Sequence, residues 1–267
     1  VIFPLQTLTV ITGPSGSGKT TLVKKILYPA LKSILSGSND KSAKYKSIQG
    51  DFYLIKGVEF IDQNPIGKSS RSNPITYIKA FDDIRTLFSN LPLAKKRNYK
   101  PGFFSFNTSG GRCESCKGDG MIVIEMQFLA DVELVCEDCG GKRYKEETLD
   151  ILLDGKSIYD VLEMTIDEGI DFFRKLSGSS HSSTTLKHIL QKIVPLQEIG
   201  LGYLKMGQAT STLSGGEIQR LKLGSFLVNA ESIEPLLFIF DEPTTGLHYY
   251  DIAKLQTAFE QLLNKRH

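Results

Sequence analysis

The chain has no tryptophan, and only four cysteines, four methionines and four histidines among 267 residues. Four cysteines in a chain of this length exclude a disulfide-stapled miniprotein. No apolar run approaches the roughly 20 residues that a membrane-spanning helix needs. The first residues, Val1-Ile2-Phe3-Pro4, lack the basic region and apolar stretch of a secretion signal. No collagen-like or solenoid period is present, and ten prolines with 24 glycines are ordinary numbers. What remains is 40% hydrophobic and 23% charged residues, enough to build a buried core. The expectation is a soluble, cytoplasmic globular chain of one large domain or two modest ones, without a membrane partner.

Net charge is also small, at +2, but it conceals an asymmetry. Residues 1–120 hold 18 Lys and Arg against 8 Asp and Glu, a balance of +10. The remaining residues hold 14 against 22, a balance of −8. A basic half of this kind suits a polyanion, or else forms a solvated charged face.

Residues 5–12 are apolar and β-branched, which predicts a buried strand. Gly13-Pro14-Ser15-Gly16-Ser17-Gly18-Lys19-Thr20 follows at once and fits the G-x-x-x-x-G-K-[ST] phosphate loop at every fixed position. An apolar pattern of helical period then begins at Leu22 and Val23. Glycines let backbone N–H groups turn inward around phosphates, and the helix start adds partial positive charge. In such a loop Lys19 reaches the β- and γ-phosphates of ATP, and the Thr20 hydroxyl ligates Mg²⁺.

Near the other end, Leu236 to Phe240 form a short apolar run closed by Asp241-Glu242. A buried parallel strand that delivers two carboxylates at its C-terminal edge reads this way. Asp241 would hold Mg²⁺ through water, and Glu242 would orient or deprotonate the attacking water. Leu213-Ser214-Gly215-Gly216-Glu217 opens a helical pattern through Ile218, Leu221, Ser225 and Val228. Ser214 and Glu217 form a capping box on sequence grounds. The glycine pair is a poor first turn, and close approach of the backbone to an anion explains it better.

Phosphate loop, Gln63, Ser-Gly-Gly-Glu and Asp-Glu in this order resemble the ABC-type ATPases. That resemblance implies an ATP sandwich between one unit's phosphate loop and the Ser214-Gly215-Gly216 surface of another, hence a homodimer. It also implies that Gln63 is the catalytic-loop glutamine that senses Mg²⁺ and the attacking water, and that Thr245-Gly246-Leu247-His248 lies along the dimer seam.

Leu213 lies 150 positions after Gln63, and the stretch between them contains all four cysteines, as Cys113-x₂-Cys116 and Cys136-x₂-Cys139. Such pairs hold tetrahedral Zn²⁺ through thiolates. Residues 121–128 and 132–135 read as a β-hairpin between the pairs. Basic and aromatic residues run together nearby, in Lys95, Lys96, Arg97, Tyr99, Lys100, Phe103, Phe104, Phe106 and Arg112, with Lys68 and Arg71 upstream. They suit a nucleic-acid backbone and distorted bases, or equally a solvated loop followed by core phenylalanines.

Ile61-Asp-Gln-Asn-Pro-Ile-Gly67, Gly110-Gly-Arg-Cys-Glu-Ser-Cys116, Gly141-Lys-Arg-Tyr144 and Asp241-Glu-Pro-Thr-Thr-Gly-Leu-His248 are similar to stretches in one branch, the excinuclease A (UvrA) family of bacterial nucleotide excision repair. The resemblance implies an ATP-driven sensor of lesions in double-stranded DNA that loads the excinuclease B subunit. It further implies a second ATPase half and a switch histidine beyond His267. Two other readings remain: a transporter's nucleotide-binding subunit, and a zinc-ribbon protein-binding module like the cysteine-rich region of certain chaperones.

The expected architecture is α/β, an ABC-type P-loop ATPase core with an inserted helical and zinc-ribbon signature region. Residues 1–90 and 231–267 are assigned to the core and 91–230 to the insertion, with the zinc module near 108–145. Residues 177–185, rich in serine, read as a linker.

Overall fold

The structure is a computed structural model and describes residues 1–37, 45–66, 71–126, 131–177, 183–229, 234–245, 247–265 and 267. Its chain divides into two compact units, Val1–Asn64 with Ser214–His267, and Pro65–Leu213. These divisions differ from the expected ones at 90 and 230. In the structure residues 71–90 pack with the cysteine-bearing unit, and the Ser-Gly-Gly-Glu helix packs with the phosphate loop's unit.

In the first unit the chain leaves the phosphate loop through a π-helical stretch, Thr21–Leu27, that continues as α1, Tyr28–Ser36. Left-handed Gly37 ends it at φ 66°, a conformation that a side chain disfavours. β1 is Gly57–Ile61 and β4 is Leu236–Phe240, and they pair in parallel from Gly57↔Leu236 to Ile61↔Phe240. Leu31, Ile55, Val58 and Ile239 form the buried cluster beneath them, with Val23, Leu27 and Phe60 packed against it. α9, Gly215–Asn229, and α10, Tyr249–Asn264, complete this unit.

One expectation fails here. Residues 5–12 form no strand, and Leu8 and Val10 are 53% and 73% exposed. Apolar β-branched composition supplies a surface that favours a strand, but a ladder also needs a partner edge. β4 bonds to β1 on one side, while residues 8–11 and β4 line a common cavity instead of pairing. β4 is accordingly half-buried along most of its length, rather than fully enclosed.

The second unit is mostly helical: α2 (Pro74–Tyr77), α3 (Ala80–Ser89), α4 (Pro92–Lys96), α5 (Glu146–Leu149), α6 (Ile158–Glu163), α7 (Ile166–Ser177) and α8 (Ser183–Glu198). α8 packs on both α3 and α7. Ile84, Phe88, Ile170, Phe173, Ile189 and Ile193 supply fully buried side chains there. Lys192 of α8 reaches Asp83 at 2.6 Å and the Lys79 carbonyl at 2.9 Å, fixing α8 against α3. Of the expected linker, residues 183–185 are the first turn of α8, and residues 178–182 lie outside the described residues.

The hairpin has the expected antiparallel form, β2 (Met121–Ile124) with β3 (Val132–Val135), in register Met121↔Val135 to Ile124↔Val132. β2 stops at Ile124 rather than continuing to 128, and residues 127–130 lie outside the described residues.

Candidate nucleotide site and cysteine centre

The phosphate loop has the backbone that its glycines permit. Gly13, Gly16 and Gly18 have φ of 154°, 79° and 90°. Gly13 is further restricted, since a Cβ there would sit 3.0 Å from Ser17 Oγ. A turn closes from Ser17 N–H to the Pro14 carbonyl at 3.2 Å, and Leu22 N–H bonds the Gly18 carbonyl at 2.8 Å. Lys19 folds back over its own loop, donating Nζ to the Gly13 and Pro14 carbonyls at 2.7 and 2.9 Å. The ammonium is thereby held above the loop, where it can exchange neutral carbonyls for phosphate oxygens and form stronger, charge-assisted bonds.

Across the unit, β4 delivers Asp241 half-buried and Glu242 exposed. Glu242 has φ 48°, a left-handed conformation that costs a non-glycine residue free energy and recurs at functional sites. Thr245 bonds it twice, N–H to the Glu242 carbonyl at 3.1 Å and hydroxyl to Oε2 at 3.3 Å. Lys19, Thr20, Asp241 and Glu242 all line one cavity of about 490 Å³, whose other walls are largely apolar. Thr20 and Asp241 in this cavity are oxygen donors of the kind that Mg²⁺ selects.

Gln63 is placed differently. Its side chain abuts Gly215, where a Cβ would approach Gln63 Oε1 to 2.8 Å, and it is not among the residues lining the cavity. Ser214 and Glu217 form the capping box: Glu217 accepts from Ser214 N–H at 2.6 Å, and Ser214 Oγ accepts from Glu217 N–H at 3.3 Å. A Cβ at Gly216 would make only ordinary van der Waals contact, 3.7 Å from Thr245 O.

Sequence reasoning missed two residues of α9. Gln219 is 3% exposed and donates Nε2 to the Ile61 and Asp241 carbonyls, both at 3.0 Å. Lys222 donates to Asp62 Oδ1, the Asp62 carbonyl and the Asn64 carbonyl at 2.7, 3.1 and 3.0 Å. Burial opposes ionisation of Asp62, but the Lys222 ammonium and the Asn64 N–H outweigh it and hold the carboxyl below its usual range. The available signal was a glutamine set between Ile218 and Leu221, since a polar side chain within a buried stripe must find hydrogen-bond partners.

In the second unit the four cysteines converge, with ligand atoms all within 4.8 Å of one another. Cys113 and Cys136 sulfurs are 3.9 Å apart and those of Cys116 and Cys139 3.7 Å, and no disulfide links them. A tetrahedron of thiolates about 2.3 Å from zinc has edges of about 3.8 Å, so the set fits Zn²⁺. Burial pushes the Cys139 thiol up to about 12, and the neighbouring sulfurs add to it. Four sulfurs this close together become thiolates at once only with a cation to neutralise them. Gly120 N–H donates to Cys116 Sγ at 3.2 Å, orienting that ligand from outside. The chain turns back after each pair in left-handed steps, at Lys117-Gly118 (φ 51° and 88°) and Gly140-Gly141 (φ 55° and 80°).

The basic residues separate into two groups. Arg71 pairs with Asp119, Arg97 with Asp150, and Arg112 with Glu114. Lys95, Lys96 and Lys100 are set apart from these: among the described residues no carboxylate lies within ion-pair distance of them, and Lys95 and Lys96 are exposed. Lys95 and Lys100, with Asn98 and Tyr99, line a polar cavity of about 360 Å³. Lys68 lies outside the described residues. Phe104 and Phe106 are fully buried, so they serve the core; Tyr99 and half-buried Phe103 stack with centroids 3.8 Å apart. From 118 to 141 the sequence has six carboxylates (Asp119, Glu125, Asp131, Glu133, Glu137 and Asp138) and no Lys or Arg, so the hairpin itself is acidic.

Parallel pairing of β1 with β4, residues far apart in sequence, brings the strand-end carboxylates to the phosphate loop's cavity. That arrangement, with a cysteine-bearing unit interposed in sequence, fits an ABC-type P-loop core interrupted by an insertion whose cysteines fit zinc. Comparison with known proteins makes the class specific. The chain is 49% identical over 262 residues to UvrABC system protein A of Clostridium perfringens, covering 98% of this chain and 27% of that protein. It is 49% identical over 261 residues to UvrABC system protein A of Thermus thermophilus, covering 98% of this chain and 26% of that protein. The crystal structure of UvrA2 from Deinococcus radiodurans matches 99% of this chain and 30% of that one, with TM-score 0.85 and 42% identity. No protein-family model matches. The chain belongs to the UvrA family, and it spans about a quarter of the length of the curated relatives it matches.

Proposed function

We propose that this chain is an ATP-binding, zinc-bearing part of a DNA-damage-recognition ATPase of nucleotide excision repair. The observation that carries the reading is the single cavity shared by Lys19, Thr20, Asp241 and Glu242. Lys19 would bind the β- and γ-phosphates, the loop N–H groups would cradle them, and Glu242 would take or orient the proton of the attacking water. Mg²⁺ on Thr20 and Asp241, sensed by Gln63, would neutralise charge on the phosphate oxygens. Ser214, Gly215 and Gly216 present a helix start to a second ATPase unit, whose phosphates would complete the sandwich; a homodimer supplies that unit.

Zinc on the four cysteines would organise the second unit rather than react, because all four positions of a tetrahedron are filled by thiolates. Lys95, Lys96 and Lys100 would track the phosphates of double-stranded DNA, while the paired arginines and the acidic hairpin are poorly suited to do so. The relatives' place in a UvrABC system makes lesion-bearing DNA and the excinuclease B subunit the expected partners. A transporter subunit explains neither the four-thiol unit nor this likeness.

The test is equilibrium ATP binding with Mg²⁺ for the chain and for Lys19→Ala, followed by titration with duplex DNA. Binding that depends on Lys19, and ATP turnover that responds to DNA, support the reading. ATP binding unaffected by Lys19→Ala sinks it.

A further inference from the structure

The nucleotide reading leaves Gln219 and Lys222 without a role, although α9 commits every side-chain donor of both to one small region. Residues three apart on a helix share a face. Both amide hydrogens of Gln219 are used, one on the last carbonyl of β1 and one on the carbonyl of Asp241. Ile61 O accepts a second bond there, from Asp241 N–H at 3.2 Å, which closes the end of the parallel ladder. All three hydrogens of Lys222 fall on Asp62 and Asn64, the residues on either side of Gln63. Gln63 in turn rests against Gly215, the first residue of α9. Both groups are largely shielded, with Gln219 3% exposed and the Lys222 side chain 18% exposed.

We propose that Gln219 and Lys222 are positioning residues, a brace that ties the Gln63 segment and Asp241 to the Ser214-Gly215-Gly216 surface of the same chain. The proposal rests on the nucleotide reading of the cavity. Removing Gln219 takes the side-chain donor from the Asp241 carbonyl, and removing Lys222 takes the ammonium from the shielded Asp62 carboxylate, so the strand ends and the first turns of α9 shift together rather than separately. Nucleotide held by Lys19 therefore alters the surface that this chain offers to a second ATPase unit. By linkage, engagement of that surface alters nucleotide binding by the same factor.

Hydrogen exchange in residues 57–66 and 214–224, measured with and without ATP and Mg²⁺, tests this. In the unaltered chain nucleotide slows exchange in both segments. In Gln219→Leu and in Lys222→Met the slowing at 57–66 persists, and that at 214–224 falls by about fivefold or more. Lys222→Arg, which keeps donors, retains it. Should buried Gln219→Leu fail to fold, Lys222→Met carries the test, because that side chain reaches solvent. A clamp serving stability alone would lower the unfolding midpoint and leave the nucleotide-dependent difference at 214–224 intact, which overturns the proposal. An unaltered chain that binds ATP without any response in α9 also overturns it. A chain that binds no ATP refutes the reading of the cavity instead.

Discussion

Arg71 grips Asp119 with two parallel hydrogen bonds, Nε to Oδ1 at 3.0 Å and Nη2 to Oδ2 at 2.9 Å. The two residues are 48 positions apart, and Asp119 follows the first cysteine pair, so the ion pair fastens the cysteine module to the start of α2. A basic residue that looks available to DNA in the sequence is thus held by a carboxylate in the fold.

That pairing separates two kinds of basic residue by experiment. Lys95→Glu, Lys96→Glu and Lys100→Glu should each weaken duplex DNA binding and reduce the salt slope by about 1 for each phosphate no longer neutralised. Arg71→Gln should leave the slope unchanged and lower stability by about 1 kcal/mol. Fluorescence anisotropy at several salt concentrations, with thermal unfolding, separates the two. A salt slope that Arg71→Gln changes as much as Lys95→Glu does would contradict the division.

One Zn²⁺ per chain should be found by metal analysis, held by Cys113, Cys116, Cys136 and Cys139. Cys116→Ala should abolish stoichiometric zinc and raise protease sensitivity around residues 121–135. It should leave ATP binding unchanged, since the loop of residues 13–20 lies in the other unit. A strong chelator should have the same effect on the intact chain.

Glu242→Gln should keep ATP affinity and lower single-turnover hydrolysis by about 10²–10⁴-fold, the usual contribution of a positioned base. Lys19→Ala should instead lose binding. The two variants together distinguish a residue that acts on water from one that holds phosphate. Equal hydrolysis by Glu242→Gln and the unaltered chain would remove Glu242 from that role.

Tyr144 is fully buried and donates its hydroxyl to the Phe104 carbonyl at 3.0 Å, while its ring meets Phe106 edge-on. Burial also pushes its phenol far above the usual range, so it remains a neutral donor. Tyr144→Phe should cost about 1–3 kcal/mol in denaturant unfolding, because the carbonyl is left without its partner and gains no water. DNA affinity per folded molecule should not change.

Gly118→Ala should be more damaging than the size of a methyl suggests. The added Cβ would lie 1.9 Å from the Phe106 carbonyl oxygen, at a backbone φ of 88°. The turn after Cys116 would have to open, and zinc affinity should fall along with thermal stability. Zinc content and unfolding midpoint equal to those of the unaltered chain would show that the turn is not required.

The features legible in the sequence were those made by neighbours along the chain. The phosphate loop could be recognised because its glycines and lysine act within eight consecutive residues, 13–20. The hairpin followed from two short apolar runs between cysteine pairs, and the Ser214–Glu217 box from spacing alone. Residues 5–12 misled for a physical reason: composition fixes which surface a strand would offer, but not whether another edge bonds to it. Gln219 escaped notice because its partners, Ile61 and Asp241, lie 158 and 22 positions away. Lys95 and Arg97 are indistinguishable as charges in sequence and both are exposed, yet the fold gives Arg97 the Asp150 carboxylate at 3.0 Å and, among the described residues, brings no carboxylate within ion-pair distance of Lys95.

By itself, then, the sequence determined the phosphate loop, the four thiols and the capped start of α9, because backbone conformation and ligand spacing over a few residues depend on local chemistry. Tertiary structure alone decided that Asp241 and Glu242 share a cavity with Lys19, that Gln63 rests on Gly215, and which basic side chains are neutralised. Each of these depends on distances between segments remote along the chain. Those distances follow from strand pairing and core packing, which no local pattern specifies.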